Sequence, residues 1–523
     1  MKKITIFLFL AAFSLYFCSC EKYLTHDDPS GVTDADWWET EANARNALNA
    51  VYAGMPQGTD GRNIMLAGSD LSDEAVGRQS SFGDYEQFTK SLQTSDWGVA
   101  LHIWRDNFLD IRRANRFLEN VGNVYMDEAL KARYKAEARA LRAYYHLELF
   151  LLYGAIPIAD HSLSQNENTL TRNTEEECYT FIFTELAAAA EELPVSYSTS
   201  EAWRISKPAC WAFITRLALF YKHFDVAAEY AKKVIDLDVF VLYPDYAKLF
   251  TYDGELNQER IYYKDAGCAT AWDRFAPNSL GGRTAVSPTN IVVNNFETRQ
   301  GKTIWELGAD SVALYKRNPN YHNNRDPRLS ASVLLPDETY LGEKLQPFLQ
   351  DNANMNRVGV QASTMTGYWV KKYLDTKDQN GARSLDFMYV RYAEILLTYV
   401  ESLIEIGKYD HDDVTKYIDQ VRQRAGMPKV DKSKYNSQET LRTLVRRERQ
   451  AELAFEGQRF FDIRRWGIAS EVMNGQVYGA TNPETGETVK VEVRTYKPDR
   501  DIRYPIPRGE ITANPNLAQN PGY

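Results

Sequence analysis

Residues able to do chemistry are plentiful in this sequence, yet few stand at spacings that chemistry requires. Gly301-Lys302-Thr303 has the ending of a phosphate-binding loop. Such a loop needs another glycine five residues before Gly301, where Phe296 stands, so the segment reads as a turn. No HExxH, CxxC, GxSxG or GxGxxG pattern occurs. Asp70, Asp73 and Glu74 cluster in Gly68-Ser69-Asp70-Leu71-Ser72-Asp73-Glu74. Such carboxylates suit glycosidic acid–base work, a calcium ion or sugar hydroxyls, although in a loop they more often cap a helix. His146, in an aromatic-rich stretch, and His102 read as packed, hydrogen-bonded residues rather than bases. Arg446, Arg447, Glu448, Arg449, Glu452 and Glu456 have the i, i+3 and i+4 spacing of a salt-bridged helix face.

The aromatic content is heavy: 33 Tyr, 23 Phe and 10 Trp. Most must be core, and a surplus left exposed would suit flat ligand faces. Sugars offer apolar C–H faces ringed by hydroxyls, so their pockets want aromatic platforms beside Asp, Asn and Arg. Tyr85, Phe88 and Trp97 stand in one irregular region, and Trp272, Phe275, Tyr321 and Trp369 in another. Trp97 follows Asp96, and Trp272-Asp273-Arg274-Phe275 combines platform and polar partners.

The elements that must position these residues are mainly α-helical. Leu130, Tyr134, Ala138, Leu141, Tyr145, Leu149 and Leu152 form an amphipathic stripe that Gly154 and Pro157 end. Trp211, Ile214, Leu217 and Tyr221 predict one helix and Phe224, Ala227, Ala231 and Val234 the next, with a tight turn at Lys222-His223. Small Ala227 and Ala228 suit close helix contact, as in a tetratricopeptide-type hairpin. Ala393 to Leu403 and Val414 to Ala425 repeat the design, and Leu441, Leu444, Glu448 and Leu453 continue it. A tetratricopeptide-like helical scaffold is therefore expected over about 39–238 and 387–470. Residues 56–97 and about 240–386 read as long irregular, ligand-binding regions with short β pieces at Ile291-Val292-Val293 and Tyr368-Trp369-Val370. The tail, 504–523, reads as extended chain packed on the helices.

The N-terminus reads as an export signal. Lys2 and Lys3 precede an apolar stretch over residues 4–17. As a helix that stretch is about 21 Å long, short of the roughly 30 Å of a bilayer core. Phe17-Cys18-Ser19-Cys20 resembles a bacterial lipobox, with small Ser19 before the thiol to be lipidated, which predicts a signal peptide over 1–19 and a mature unit over 20–523. Removing Lys2 and Lys3 takes the formal charge from −10 to −12. An acidic, charge-mixed surface argues against nucleic acid as a partner. Cys178, Cys210 and Cys268 lack the spacing of a disulfide framework or a zinc site. Cys178 and Cys210 read as small buried apolar residues. No cofactor is implied.

The sequence resembles the SusD/RagB family of outer-membrane nutrient-binding lipoproteins. The residues carrying the likeness are Trp38-Glu39-Thr40-Glu41-Ala42, Trp104 with Ile111-Arg112-Arg113-Ala114-Asn115, and Glu137-Ala138-Arg139-Ala140-Leu141-Arg142-Ala143-Tyr144-Tyr145. Asn324-Arg325-Asp326-Pro327-Arg328-Leu329, Arg391-Tyr392-Ala393-Glu394-Ile395-Leu396-Leu397 and Val421-Arg422-Gln423-Arg424-Ala425-Gly426-Met427-Pro428 follow. Tyr504-Pro505-Ile506-Pro507 and the closing run from Asn514 to Tyr523 complete it. The resemblance implies a lipid-anchored protein at the cell surface, a lid over a SusC-like TonB-dependent transporter, that captures glycans or in some branches peptides without catalysis. Ligand contacts vary within such a family. By position and chemistry the expected ligand-binding residues are Asp73, Arg78, Trp97, Trp272, Arg274 and Phe275, with Cys20 as the lipidation site.

Three rival readings stay open. In a peptide-binding protein, Arg78, Arg274 and Arg283 would serve carboxylate termini. A glycoside hydrolase would need two carboxyl groups about 5–9.5 Å apart across a cleft. A purely structural interaction protein would depend on the helical face alone.

Overall fold

In the computed structural model, which describes residues 37–58, 68–78, 85–167 and 169–523, the first helical block forms six helices. They are α1 (Glu41–Tyr52), α2 (Gly98–Asn120), α3 (Glu128–Tyr153), α4 (Glu175–Glu192), α5 (Lys207–Phe220) and α6 (Phe224–Ile235). Their ends follow local chemistry. The Asp127 carboxylate accepts from Leu130 N–H at 2.8 Å, capping α3, and Gly154 leaves it at φ +72°. Thr174 and Glu177 form a capping box on α4, and Pro208 sits in the first turn of α5. Cys20 and its lipobox lie outside the described residues.

Successive helices from α2 to α6 pack on one another as antiparallel hairpins. The α5–α6 turn puts Lys222 at φ +62°, and buried Ala227 meets Ala218 and Leu219 where the two helices approach. The second block forms α7 (Tyr392–Glu405), α8 (Asp412–Arg424), α9 (Gln438–Glu452) and α10 (Gln458–Arg465). α7 packs against α6 and then against α8 and α9, so the array continues as though residues 236–391 were looped out.

The inserted region is held by short ladders: β1 (Ala75–Gly77), β2 (Arg260–Lys264), β3 (Val286–Pro288), β4 (Val333–Leu334), β5 (Trp369–Val370) and β6 (Phe387–Arg391). A last hairpin is β7 (Gly475–Thr481) and β8 (Thr488–Arg494). β2 pairs antiparallel with β6 and closes the base of the insertion, β1 pairs with β3, and β4 with β5. Ile291, Val292 and Val293, expected as a β piece, lie instead in the short helix Asn290–Asn295. Burial of Val292 and Val293 against the core outweighs their β propensity.

The acidic and basic run at α9 is not the self-paired face its spacing predicts. Glu448, Arg449, Glu452 and Glu456 are buried, and among the described residues their ion-pair partners come from other segments. Arg328 reaches Glu448 at 2.6 Å and Glu452 at 3.0 Å. Arg422 joins Glu448 at 3.0 Å to Glu297 at 2.9 Å. Arg465 pairs with Glu401 at 2.6 Å. Arg328, Arg422 and Arg424 therefore weld the inserted region to the scaffold, while Arg325 donates only to Pro319 O, Val293 O and Phe296 O within the insertion.

The tail packs on the helices, with one short helix, Arg508–Ala513, inside it. Tyr504 N–H donates to Leu152 O at 2.8 Å, and the Asn520 amide donates to Tyr153 O at 2.9 Å and Tyr504 O at 2.7 Å. Gly301, at φ +74°, forms a turn closed by Thr298 N–H to Lys302 O. His146 is buried, with Nδ1 on Arg142 O at 2.8 Å and Nε2 accepting from Ala159 N–H at 3.2 Å; burial pushes its pKa down to about 4. His102, expected to be packed likewise, is exposed beside Arg105. Cys178, Cys210 and Cys268 are all buried and free.

Candidate ligand-binding site

β1 and β3 carry the face on which most of the expected ligand residues meet. Arg78 N–H donates to Ala285 O at 2.8 Å, and Ala285 N–H donates to Arg274 O at 2.7 Å, so one extended residue spaces the two arginines. Arg283 N–H donates to Asp273 O at 3.0 Å, which brings an exposed third arginine to the same rim. Both oxygens of Asp273 are engaged by Arg383, at 2.5 and 3.0 Å. The 277–283 turn is tied to a facing segment by Asn278 to Gln361 O at 3.2 Å and by Asn356 to Ser279 Oγ at 2.8 Å.

Trp272 and Phe275 support this face from beneath. Both rings are buried, and Trp272 Nε1–H donates to Leu280 O at 3.1 Å, fixing the turn above. They therefore have no open face for stacking.

Arg78 is the residue whose environment asks for a ligand. Its guanidinium donates to Ser363 O, and its Nε is buried with no partner among the described residues. Burial lowers its pKa, with no carboxylate among the described residues to offset the desolvation. A half-buried cation in that state gains from a hydroxyl or carboxylate brought by a ligand.

Asp73 and Trp97 lie apart from this face. The Asp73 carboxylate is buried and accepts from Arg459 Nε and Nη2, both at 2.7 Å. Trp97 is a core residue, stacked on Phe88 with centroids 5.5 Å apart and edge-on to Tyr504 at 5.0 Å. Tyr85 and Trp369 are buried as well. The more exposed aromatic residues include Trp305 and Tyr478, which stand in no pattern that distinguishes them in the sequence.

The acidic cluster is structural. Burial pushes Glu74 up to about 8, against the pull of Arg459, and its Oε2 accepts from Phe455 N–H at 3.2 Å. Burial likewise holds Asp70 well above the carboxylate range. Among the described residues no group of three or more His, Cys, Asp or Glu could hold a metal ion. No helix among them is long and apolar enough to cross a membrane.

A stacked helical scaffold with one long insertion, whose polar face rests on buried aromatic rings, defines a scaffolded binding protein. The SusD family profile matches residues 249–523, and a profile described as "Starch-binding associating with outer membrane" matches 22–219. The chain belongs to the SusD family, whose members bind glycans in association with the outer membrane. It is 26% identical to SusD-like protein P2 of Formosa agariphila over the whole of both chains. It is 25% identical to the starch-binding protein SusD of Bacteroides thetaiotaomicron, over 79% of this chain and 77% of that one. A SusD-like carbohydrate-binding protein from Bacteroides fragilis superposes with a TM-score of 0.83 at 26% identity, covering 92% of this chain and all of that one. A laminarin-binding SusD-like protein shares the fold, with a TM-score of 0.71 at 21% identity over 93% of this chain and all of the other.

Proposed function

We propose that this chain captures an oligosaccharide on the β1–β3 face and delivers it to a SusC-like TonB-dependent outer-membrane transporter, tethered at the cell surface by a lipid on Cys20. It binds and does not cleave. The observation that carries the reading is Arg78, a half-buried guanidinium with an unpartnered Nε and no carboxylate beside it among the described residues. Arg274, Arg283, Asn278 and Gln361 surround it with the donors and acceptors that vicinal hydroxyls require. Family membership supports glycan as the ligand class, and the starch and laminarin named for two relatives point to neutral glucans as first probes. The lipobox at Cys20 and the profile matched at 22–219 support the membrane association.

Calorimetry of the mature chain against a broad glycan panel, with a peptide library alongside, tests this. At least one glycan should bind, and Arg78→Ala should weaken it by ten-fold or more without changing the circular dichroism spectrum. Binding only to peptides, or to no member of the panel, would sink the reading.

A further inference from the structure

A further cavity has no Arg78 in its lining. The β7–β8 hairpin covers the short helix Asn290–Asn295 and the helix Ala309–Arg317, with about 160 Å³ of open space against them. The hairpin seats closely because residue 479 is glycine: a Cβ there would stand 2.2 Å from Thr366 O. Ala480 N–H donates to that same carbonyl at 2.6 Å. Pockets for drug-sized ligands run to about 300–1,000 Å³, so this one takes a single ring rather than a chain.

Its lining is largely polar. Asn290 and Asn294 stand one turn apart on the same helix face. Asn294 is 8% exposed and Tyr368 2%, yet neither side chain has a hydrogen-bond partner among the described residues. Both side chains line the cavity, so their polar groups are available to whatever fills it. Burial also raises the Tyr368 pKa, keeping its hydroxyl protonated as a donor. Tyr478, 37% exposed, offers a ring face at the rim. Lys316 has no carboxylate partner among the described residues, and its ammonium sits 5.3 Å from the ring centroid of Trp305, itself 54% exposed.

We infer that this cavity is a second saccharide site, specific for one acidic sugar ring, with the sugar carboxylate on Lys316, its hydroxyls on Asn290, Asn294 and Tyr368, and one C–H face on Tyr478. Two amides and a phenol match vicinal hydroxyls, and a cation lacking a counter-ion selects a carboxylate. The inference shares only its ligand class with the proposed capture at Arg78, which is no part of this cavity.

Saturation-transfer NMR and calorimetry of the full mature chain, with methyl glucuronoside and methyl glucoside as probes, test it. The glucuronoside should bind about ten-fold more tightly than the glucoside, Lys316→Met should erase that preference, and Tyr478→Ala should weaken both by about ten-fold. Arg78→Ala should leave all these values unchanged, so its effect on longer glycans bears on the capture face alone. Equal affinity for the two probes, glucuronoside binding unmoved by Lys316→Met and Tyr478→Ala, or Lys316-dependent binding of peptide carboxylates without the sugar, would each overturn the inference.

Discussion

Arg391 Nη1 lies 2.6 Å from Glu452 Oε1, joining the end of β6 to the end of α9 in the buried interior. Arg391 also reaches Glu456 at 2.7 Å and Glu259 at 2.8 Å, so one guanidinium ties the base of the insertion to two turns of the scaffold. Removing one partner leaves the others charged and desolvated. Glu452→Gln should therefore destabilise the fold by about 3–5 kcal/mol. In a denaturant double-mutant cycle, Arg391→Met added to it should cost much less than the sum of the two changes. Strict additivity would show that the pair is not coupled.

Two buried glutamates give stability opposite dependences on pH. Burial would raise Glu452, but Arg424, Arg391 and Arg328 hold it well below the carboxylate range. Its contribution is present above the ordinary value of 4.5 and is lost as the pH falls. Glu74 is pushed the other way, from 4.5 to about 8. The folded state keeps that proton while the unfolded state releases it, so stability declines as pH rises from 4.5 to 8, by up to about 5 kcal/mol. Glu74→Gln, which can still accept from Phe455 N–H, should raise Tm at pH 8 and leave it nearly unchanged at pH 5. A gain of the same size at both values would contradict the assignment.

Trp97 should matter to the fold rather than to the ligand. It fills space between Phe88 and Tyr504. Trp97→Ala should cost about 3–5 kcal/mol in chemical denaturation, while the folded fraction keeps its glycan affinity. A ten-fold loss of affinity at unchanged stability would return Trp97 to the binding site.

These outcomes mark where the sequence was legible. The α3 stripe and the α5–α6 hairpin are local patterns with caps and small residues at the contact, so periodicity finds them. The packing of α6 on α7 joins segments on either side of residues 236–391, and no local period reports it. The α9 charges are visible in the sequence, but their partners Arg328, Arg391 and Arg422 are distant in sequence, so spacing alone does not separate pairs within the helix from a network across segments. Arg78 and the Trp272–Phe275 segment stand out in the sequence because polar and aromatic types lie close together in irregular chain. Which rings are covered depends on the tertiary packing, so sequence context makes platforms of Trp97 and Trp272, which are buried, and does not single out Trp305 and Tyr478, which are exposed.

Trp272 predicts an indirect effect on binding. Its indole donates to Leu280 O and so holds the turn that carries Asn278 and Arg283. Trp272→Phe keeps most of the packing and removes the donor, leaving a carbonyl to find another partner, at a cost of about 1–3 kcal/mol. Glycan affinity should fall several-fold, with amide-exchange protection lost across 277–283. Unchanged exchange with reduced affinity would mean that the indole itself touches the ligand.

Arg78 provides the last and most direct prediction. Its fork is held at one end by Ser363 O, and its Nε has no partner among the described residues. A lysine would retain the charge but lose the planar geometry that lets one group bond the backbone and the ligand together. Arg78→Lys should therefore recover less than half of the binding free energy lost in Arg78→Ala, measured by calorimetry against the same glycan. Affinity should also depend weakly on salt, because hydroxyls rather than ionic groups are recognised. Full rescue by lysine, together with a steep loss of affinity in high salt, would instead identify a charged ligand at this face.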